Sequence, residues 1–388
     1  MVNGRSKYRI KDIFDLSAGG DVDKEHFSAY KTSECCYPIY SNSLENHGLY
    51  GYTSNPKYSA NSVTITGRGS VGHAEYREDK FDAIIRLLVL KPKSDNVCAQ
   101  FVADYINNCV EFPLESTGVP QLTAPQIMNI ELELPRYDEQ KEIAALLTDA
   151  SSLIDILDKQ ISKKKAIKQG TMQELLTGKR RLPGFSGEWE NFNLMKHSKV
   201  KARIGWQGLK KSEYLDSGYS LLVTGTDFDD GRVQWDSCHY VTRSRYEQDR
   251  NIQLQNNDIL ITKDGSLGKA ALVQGLTKPA TLNSGIFVIR PLQDCYDPVF
   301  VYHILSSFVF KNFLDKLSAG STIIHLYQKD VGKFEFSLPP TIAEQKAIAV
   351  VLSEMDADIT ALEEKLTKYR QIKHGMMQQL LTGKIRMV

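Results

Sequence analysis

The sequence predicts an α+β protein of duplicated build, in which two mostly-β domains are separated by two long helices forming an intramolecular coiled coil. Three observations predict it. A long segment occurs twice, each copy carries a heptad pattern, and the stretch before each copy is a series of short β-rich runs broken by glycine and proline.

Residues 139–181 read EQKEIAALLTDASSLIDILDKQISKKKAIKQGTMQELLTGKRR, and residues 344–386 read EQKAIAVVLSEMDADITALEEKLTKYRQIKHGMMQQLLTGKIR. The offset stays constant to the end of both segments. It pairs Glu139 with Glu344, Gln140 with Gln345, Gly170 with Gly375, and Leu175–Lys179 with Leu380–Lys384. A Leu-Pro pair precedes each copy, at Leu134-Pro135 and Leu338-Pro339. Such a period is too long for a solenoid and marks a duplicated half. In chain order this gives a domain over 1–135, a helical spacer over 136–181, a second domain over 182–338 and a second spacer over 339–388. The turn Leu182-Pro183-Gly184-Phe185-Ser186-Gly187 ends the first spacer.

Within the first copy, Ile143, Leu147, Ala150, Ile154, Leu157 and Ile161 alternate in steps of four and three. In the second, Ile348, Leu352, Met355, Ile359, Leu362, Leu366 and Tyr369 do the same. That is a coiled-coil seam, with Thr148, Ser152, Asp155, Asp158 and Lys159 off it. Each helix is the natural partner of the other, and antiparallel pairing suits the duplication because it relates the halves by a pseudo-twofold. The seam from Ile348 to Tyr369 is about 32 Å long at ~1.5 Å per residue. The alternative, amphipathic helices packed on their own domains, stays open at this point. Lys163-Lys164-Lys165 reads as a solvated face of the coil or as a DNA contact.

In the first domain, Tyr37–Tyr40, Ser62–Thr66 and Ile84–Leu90 read as strands and Ala99–Asn107 as a helix. In the second, Tyr219–Val223, Asp258–Thr262 and Gly285–Ile289 read as strands and Pro298–Leu317 as a helix. An irregular, mostly antiparallel sheet is expected in each. The domains also share a turn: Gly67-Arg68-Gly69-Ser70-Val71-Gly72-His73-Ala74 aligns with Lys263-Asp264-Gly265-Ser266-Leu267-Gly268-Lys269-Ala270. Glycines admit close backbone approach, and a serine with turn amides can donate to phosphate. The same pattern also serves as a tight β-turn with solvated charges. Upstream of each Leu-Pro, Ser116-Thr117-Gly118-Val119-Pro120-Gln121-Leu122 parallels Ser321-Thr322-Ile323-Ile324-His325-Leu326, where hydroxyls contact a phosphate backbone or cap a turn.

Composition sets bounds. With 41% hydrophobic and 24% charged residues in 388, the chain can bury a core, which excludes disordered and fibrous classes. A net charge of +1 argues against a histone-like binder but says nothing about how the basic residues are distributed. Cys35, Cys36, Cys98, Cys109, Cys238 and Cys295 match no zinc spacing and read as free thiols of a cytoplasmic protein. The start, Met1-Val2-Asn3-Gly4-Arg5-Ser6-Lys7, lacks a signal-peptide core, and no apolar run is long enough to span a membrane.

Catalytic patterns are missing. Gly265-Ser266-Leu267-Gly268-Lys269 is too short for a P-loop and is followed by Ala270. No Asn/Asp-Pro-Pro-aromatic tetrapeptide occurs, and the eight histidines (26, 47, 73, 197, 239, 303, 325 and 374) show no metal spacing. Glu139-x-Lys141 and Glu344-x-Lys346 match the end of a nuclease pattern, but no Pro-Asp precedes them. They read as structural carboxylates at helix starts. No chemistry of the chain's own is expected, and no metal.

Taken together, Leu134-Pro135…Glu139–Ala144 with Leu175–Lys179, and Leu338-Pro339…Glu344–Ala349 with Leu380–Lys384, resemble the conserved regions of the specificity subunit of a type I restriction–modification enzyme. Tyr37-Pro38-Ile39-Tyr40 and Asp258–Thr262…Asp264–Lys269 resemble parts of its target recognition domains. The resemblance covers essentially the whole chain. It implies a non-catalytic subunit of a phage-defence system whose two domains each read half of a bipartite site on double-stranded DNA. It implies that the coiled coil is a ruler, about nine base pairs at most at ~3.4 Å each, and a dock for two methyltransferase subunits and for motor-nuclease subunits. S-adenosylmethionine, ATP and magnesium belong to those partners. The two domains differ in length and sequence, so the half-sites should differ.

The phosphate-contact candidates are Arg68, Ser70, Lys263, Ser266, Lys269, Ser321 and Thr322, and the base-reading candidates are Gln207, Arg243, Arg245 and Tyr52. Two rivals remain: a fragment of a fused restriction–methylation enzyme, which would need a catalytic domain, and a coiled-coil scaffold without sequence-specific DNA reading.

Overall fold

A computed structural model describes residues 4–112, 121–318 and 325–387. The chain divides into two compact units, and the division cuts both long helices. Unit 1 holds residues 1–159 together with 363–388; unit 2 holds 160–362. The long helices run over Tyr137–Leu175 and Ile342–Met376. Each unit therefore combines one β-rich domain, the start of the helix that follows it and the end of the other helix.

Unit 1 has two four-stranded sheets. One is ordered Phe14–Ala18, Leu88–Pro92, Ser62–Ile65, Ala74–Arg77, and the other Phe27–Ser28, Leu49–Thr53, Tyr37–Tyr40, Asp82–Ala83. Unit 2 has a six-stranded sheet, ordered Ser198–Lys201, Ile286–Pro291, Ile259–Thr262, Ala270–Leu272, Arg232–Val233, Phe228–Asp229. A three-stranded sheet, His239–Val241, Ser220–Val223, Ala280–Leu282, accompanies it. Among the described strands, pairing is antiparallel except at three joins, which include Tyr37–Tyr40 with Asp82–Ala83 and Ser220–Val223 with Ala280–Leu282.

Two expected elements are divided. The apolar run Ile84–Leu90 is not one strand: Ile85 and Arg86 take φ of 54° and 57°. Their amides donate to the carbonyls of Gly20 and Gly19, each at 3.0 Å. The run thereby serves both sheets of unit 1, with Asp82-Ala83 in one and Leu88–Pro92 in the other. The expected helix over 298–317 breaks into Pro298–Leu305 and Phe308–Ser318. Ser307 makes the break, because its hydroxyl donates to the Ile304 carbonyl and accepts from the Val309 amide.

The Leu-Pro, Glu and Gln of the repeated motif have separate tasks. Leu134 and Leu338 end strands Glu131–Leu134 and Glu335–Leu338, which pair with Ser6–Arg9 and Glu190–Asn193. The Gln140 side chain donates to the Pro135 carbonyl at 2.9 Å and accepts from the Cys98 amide at 3.0 Å, at the start of helix Ala99–Cys109. Gln345 does the same with Pro339 at 3.0 Å and Asp297 at 2.8 Å, before helix Pro298–Leu305. One amide side chain thus satisfies an orphan helix donor and locks the long helix to its domain. The two glutamates are buried and ion-paired: Glu344 takes both Nε and Nη2 of Arg181, at 2.5 and 2.6 Å, and Glu139 takes Nη2 of Arg386 at 2.8 Å. Arg181 and Arg386 lie just past the Leu-Leu-Thr-Gly-Lys endings, so each helix start is gripped by the other helix's tail.

In unit 1, the final turn, Met377–Leu381, is a π-turn. Buried Arg5 adds side-chain donors to it, to the carbonyls of Leu380 at 2.6 Å and of Leu381. Leu380 and Leu381 complete the unit 1 core.

Within each unit the two helices run antiparallel. In unit 2, Lys164 pairs with Asp358 at 2.7 Å and Lys168 pairs with Asp356; in unit 1, Arg370 pairs with Asp158 at 2.8 Å. Leu157, Ile161, Ile359 and Leu366 are buried, as a seam requires, while Ala150, Ile154, Met355, Leu362 and Tyr369 are half-buried. The first part of each stripe does different work. Ile143 and Leu147 belong to the unit 1 core, and Ile348 and Leu352 to the unit 2 core. Both readings of the heptads thus hold along different stretches of the same helix.

Polar residues punctuate the packing of the short helices on the long ones. Gln100 donates to the Thr148 hydroxyl, and the His303 ring meets the Ser353 hydroxyl at 3.3 Å. Burial, aided by Lys168, pushes the His303 imidazole down to about 3, so it is neutral. Burial pushes the Asp104 carboxyl up to about 6 against the opposing pull of Lys373.

Two outcomes follow. Glu344→Ala leaves Arg181 without its carboxylate inside a packed joint and should lower the unfolding free energy by about 3 kcal/mol, read from urea midpoints. A carboxyl raised in the folded state stabilises folding below its unfolded value of about 3.9, and that contribution is lost as pH rises through about 6. Asp104→Asn should therefore gain midpoint relative to wild type as pH rises through that window and level off above it.

Candidate nucleic-acid interface

The shared turns prove to be the tips of matched hairpins. In unit 1, strands Ser62–Ile65 and Ala74–Arg77 flank the tip; in unit 2, Ile259–Thr262 and Ala270–Leu272 do. A threonine closes each tip from inside. The Thr66 hydroxyl donates to the Ser70 carbonyl and accepts from the His73 amide at 3.0 Å. Thr262 donates to the Ser266 carbonyl and accepts from the Lys269 amide at 2.9 Å.

The second glycine of each tip faces inward. Gly72 and Gly268 have φ of 90° and 74°, and a Cβ there would meet Phe112 at 2.4 Å and Leu314 at 2.2 Å. Gly69 and Gly265, also left-handed, have nothing within 4 Å. The tips are thus anchored on one side and open on the other, where Arg68, Ser70 and Ser266 are exposed.

The charges at the two tips differ. Arg68 Nη2 reaches the Gln121 side-chain oxygen at 3.4 Å, whereas the Asp264 carboxylate meets the His325 ring nitrogen Nδ1. Lys263 lies 5.5 Å over the Phe287 ring. The Lys269 ammonium donates to the Phe228 carbonyl, which directs it onto the protein. Ser321 and Thr322, and the parallel Ser116–Pro120 stretch, lie outside the described residues.

The base-reading candidates do not gather at one place. Arg243 pairs with Glu247 at 2.8 Å and lies over the Tyr219 ring, and Arg245 pairs with Glu213 at 2.6 Å. Gln207 is 5% exposed, and its Oε1 has no partner among the described residues. Near it in sequence, Arg203 is buried, donating Nε to the Leu282 carbonyl at 2.7 Å and Nη2 to Thr281 at 3.2 Å. Sequence reasoning passed over Arg203 because nothing local marks an arginine for burial.

Tyr52 lines a cleft of about 690 Å³ in unit 1, with Lys31, Tyr37, Tyr40, His47 and Lys80. The cleft adjoins the hairpin. Arg77, on its second strand, stacks 3.6 Å over Tyr40 and pairs with Glu75 at 2.8 Å. Glu75 also accepts from His47 at 3.0 Å. Burial works against the Glu75 charge, but Arg77 and His47 hold its carboxyl below the usual range. Asn42 ties the same loop to the tip, accepting from the Gly67 amide at 2.8 Å and donating to the Ile85 carbonyl at 2.7 Å. The tip is thus tied to an aromatic-lined cleft that carries Lys31, Lys80 and His47 beside Asp79, a surface suited to a phosphate backbone with bases alongside. These partners lie far apart in sequence, which hid the cluster from a motif search. Among the described residues, no group of three or more His, Cys, Asp or Glu is placed to hold a metal ion, and no helix is long and apolar enough to cross a membrane.

Two β-rich domains with matched hairpin tips, each followed by a long helix, define a duplicated α+β architecture. The chain belongs to the type I restriction modification DNA specificity domain family, whose profile matches residues 4–166 and 204–374. Among curated proteins it is 26% identical over 288 residues to the type I restriction enzyme MjaVIII specificity subunit of Methanocaldococcus jannaschii, covering 70% of this chain and 66% of that one. It is 27% identical over 208 residues to the putative type I specificity subunit S.MpnORF507P of Mycoplasma pneumoniae, covering 53% and 55%. These matches span less than two thirds of the relatives' lengths. Among solved structures, the fold is that of the type I restriction–modification S subunit from M. genitalium, with a TM-score of 0.69 at 15% identity over 97% of this chain and 96% of that one. A chain from a study of complex assembly and conformational transition of the type I R-M system matches at TM-score 0.53 and 14% identity, over 97% of each chain.

The anchoring glycine gives a direct test. Gly268→Ala combines left-handed strain with a clash on Leu314 and should cost about 2–4 kcal/mol, whereas Gly265→Ala, strained but unobstructed, should cost about 1–2. Thermal unfolding of the two variants ranks them.

Proposed function

We propose that the chain is the non-catalytic, DNA-reading subunit of a type I restriction–modification complex. Each β-rich domain reads one half of a bipartite double-stranded site, and the paired helices set the gap and dock the methyltransferase and motor-nuclease subunits. The observation that carries this reading is the duplication itself: two specificity domains, each with an open hairpin tip. The tips differ in charge, Arg68 with Gln121 against Asp264 with His325, which supports unlike half-sites. Adenine methylation with S-adenosylmethionine, and cleavage using ATP and magnesium, fall to the partner subunits. Ion pairs already occupy Arg243 and Arg245, so Arg68 and the Tyr52 cleft are the stronger contacts.

The test is methylation by the assembled complex. The chain alone should leave DNA unmethylated, and the complex should place N6-methyladenine at one bipartite sequence, read by single-molecule sequencing. Arg68→Ala should weaken binding evenly across sequences and reduce the salt slope by about one. Methylation by the isolated chain would overturn the proposal. A complex that binds DNA without sequence preference would support a coiled-coil scaffold instead.

A further inference from the structure

The turn at Ile85-Arg86 joins the two sheets of unit 1, yet it carries two side chains that the joint does not use. Both residues have left-handed φ, 54° and 57°, and the Leu87 amide closes the turn on the Ile84 carbonyl at 3.1 Å. Asparagine and glycine suit that backbone, whereas a β-branched isoleucine is among the residues it disfavours most. Ile84 and Leu87–Leu90 around the turn are buried, but Ile85 is 54% exposed and Arg86 is exposed as well. Among the described residues, the Arg86 guanidinium has no hydrogen-bond, ion-pair or ring partner.

Unit 2 makes the same connection differently. The Ile84 amide donates to the Tyr40 carbonyl, and the Asn283 amide to the Val223 carbonyl, each at 2.9 Å. Both bonds lie at the ends of matched parallel pairs, Tyr37–Tyr40 with Asp82–Ala83 and Ser220–Val223 with Ala280–Leu282. Asn283, Ser284 and Gly285 then lead into Ile286–Pro291, as Ile85 and Arg86 lead towards Leu88–Pro92. They are half-buried, none has a positive φ, and the Asn283 side chain donates to the Tyr214 hydroxyl at 2.8 Å. The joint between sheets therefore calls for neither isoleucine nor arginine. In both units it lies against the entry of the hairpin tip. The Lys263 amide donates to the Gly285 carbonyl at 2.8 Å. In unit 1 Asn42 bridges the Gly67 amide and the Ile85 carbonyl, and a Cβ on Gly67 would lie 3.5 Å from the Arg86 carbonyl oxygen. Ile85 and Arg86 thus stand beside the open tip that carries Arg68 and Ser70.

We propose that Ile85 and Arg86 read base edges in the half-site recognised by unit 1, with Arg86 on a guanine and Ile85 on the methyl group of a neighbouring thymine. The inference rests on the DNA-reading role proposed above. A free guanidinium fork matches the two acceptors that guanine presents in the major groove, and an apolar side chain matches the thymine methyl. Backbone strain of this kind persists where the side chains have a task and the surroundings hold the conformation. Here Gly19, Gly20 and Asn42 hold it through their bonds to the turn. Arg68 on the adjacent tip positions the backbone, and the turn specifies. Unit 2 has no such pair at this place, so the contact belongs to one half-site only.

The test uses the full chain assembled with its methyltransferase subunits. It reads the methylated motif by single-molecule sequencing, and methylation rates on duplexes changed one base at a time. Ile85→Asn/Arg86→Gly gives the turn the pair its backbone prefers, so the thermal midpoint should rise by about 2–4 °C. The same variant should make one guanine and its neighbour permissive in one half of the motif and leave the other half intact. Discrimination at that guanine should fall about tenfold or more. Arg86→Lys keeps the charge but loses the fork, and should relax the same guanine. If the double variant does not fold, Arg86→Lys alone decides. An unchanged motif in the folded variants overturns the inference. So does binding that falls evenly over all sequences in the double variant and is kept by Arg86→Lys, the behaviour of a phosphate contact. A wild-type complex with no bipartite motif overturns the DNA-reading role, and this inference with it.

Discussion

The structure depends on a buried glutamate at the start of each long helix. Glu344 is 1% exposed and Glu139 is 6% exposed, and a carboxylate so placed must be paired or it unfolds its surroundings. The partner is an arginine past the end of the other helix, Arg181 or Arg386. That single need explains why the helices pair antiparallel, why the Leu-Leu-Thr-Gly-Lys ending is repeated with an arginine after it, and why neither unit is complete without both helices. The adjacent glutamine extends the constraint to the domain by fastening the first turn of its helix to the Leu-Pro entry. The recognition hairpins are held on this frame and are free to vary at their tips.

Much of this was legible in the sequence. The repeat located both helices, and its steps of four and three marked residues that are buried or half-buried. The Gly-Ser-x-Gly correspondence located two hairpins that share their threonine closure. What stayed hidden was pairing over long separations. Nothing near Glu139 points to Arg386, and nothing near Arg77 points to Tyr40 or His47. Local rules also misjudged where backbone needs outweigh propensity. The apolar run at Ile84–Leu90 bends because two sheets require it, and the helix after Pro298 stops because Ser307 competes for its carbonyls.

Site residues were the least legible class. An arginine or lysine in a loop reads as available for DNA, yet Arg243, Arg245 and Lys269 are engaged within the protein, and Gln207 is buried. Exposure depends on which neighbour the fold supplies. The same logic shows why a net charge of +1 said so little, since it does not tell which lysines share a cleft, as Lys31 and Lys80 do in unit 1.

The division of the helices also sets an order of assembly. Unit 2 is one continuous stretch, 160–362, so every contact it needs is present once that stretch has been made. Unit 1 is discontinuous. Arg5 must wait for the carbonyls of Leu380 and Leu381, a loop closure across 375 and 376 positions. During synthesis the first domain is therefore the last to be finished, and its core stays open where Leu380 and Leu381 will lie until the final turn of helix emerges.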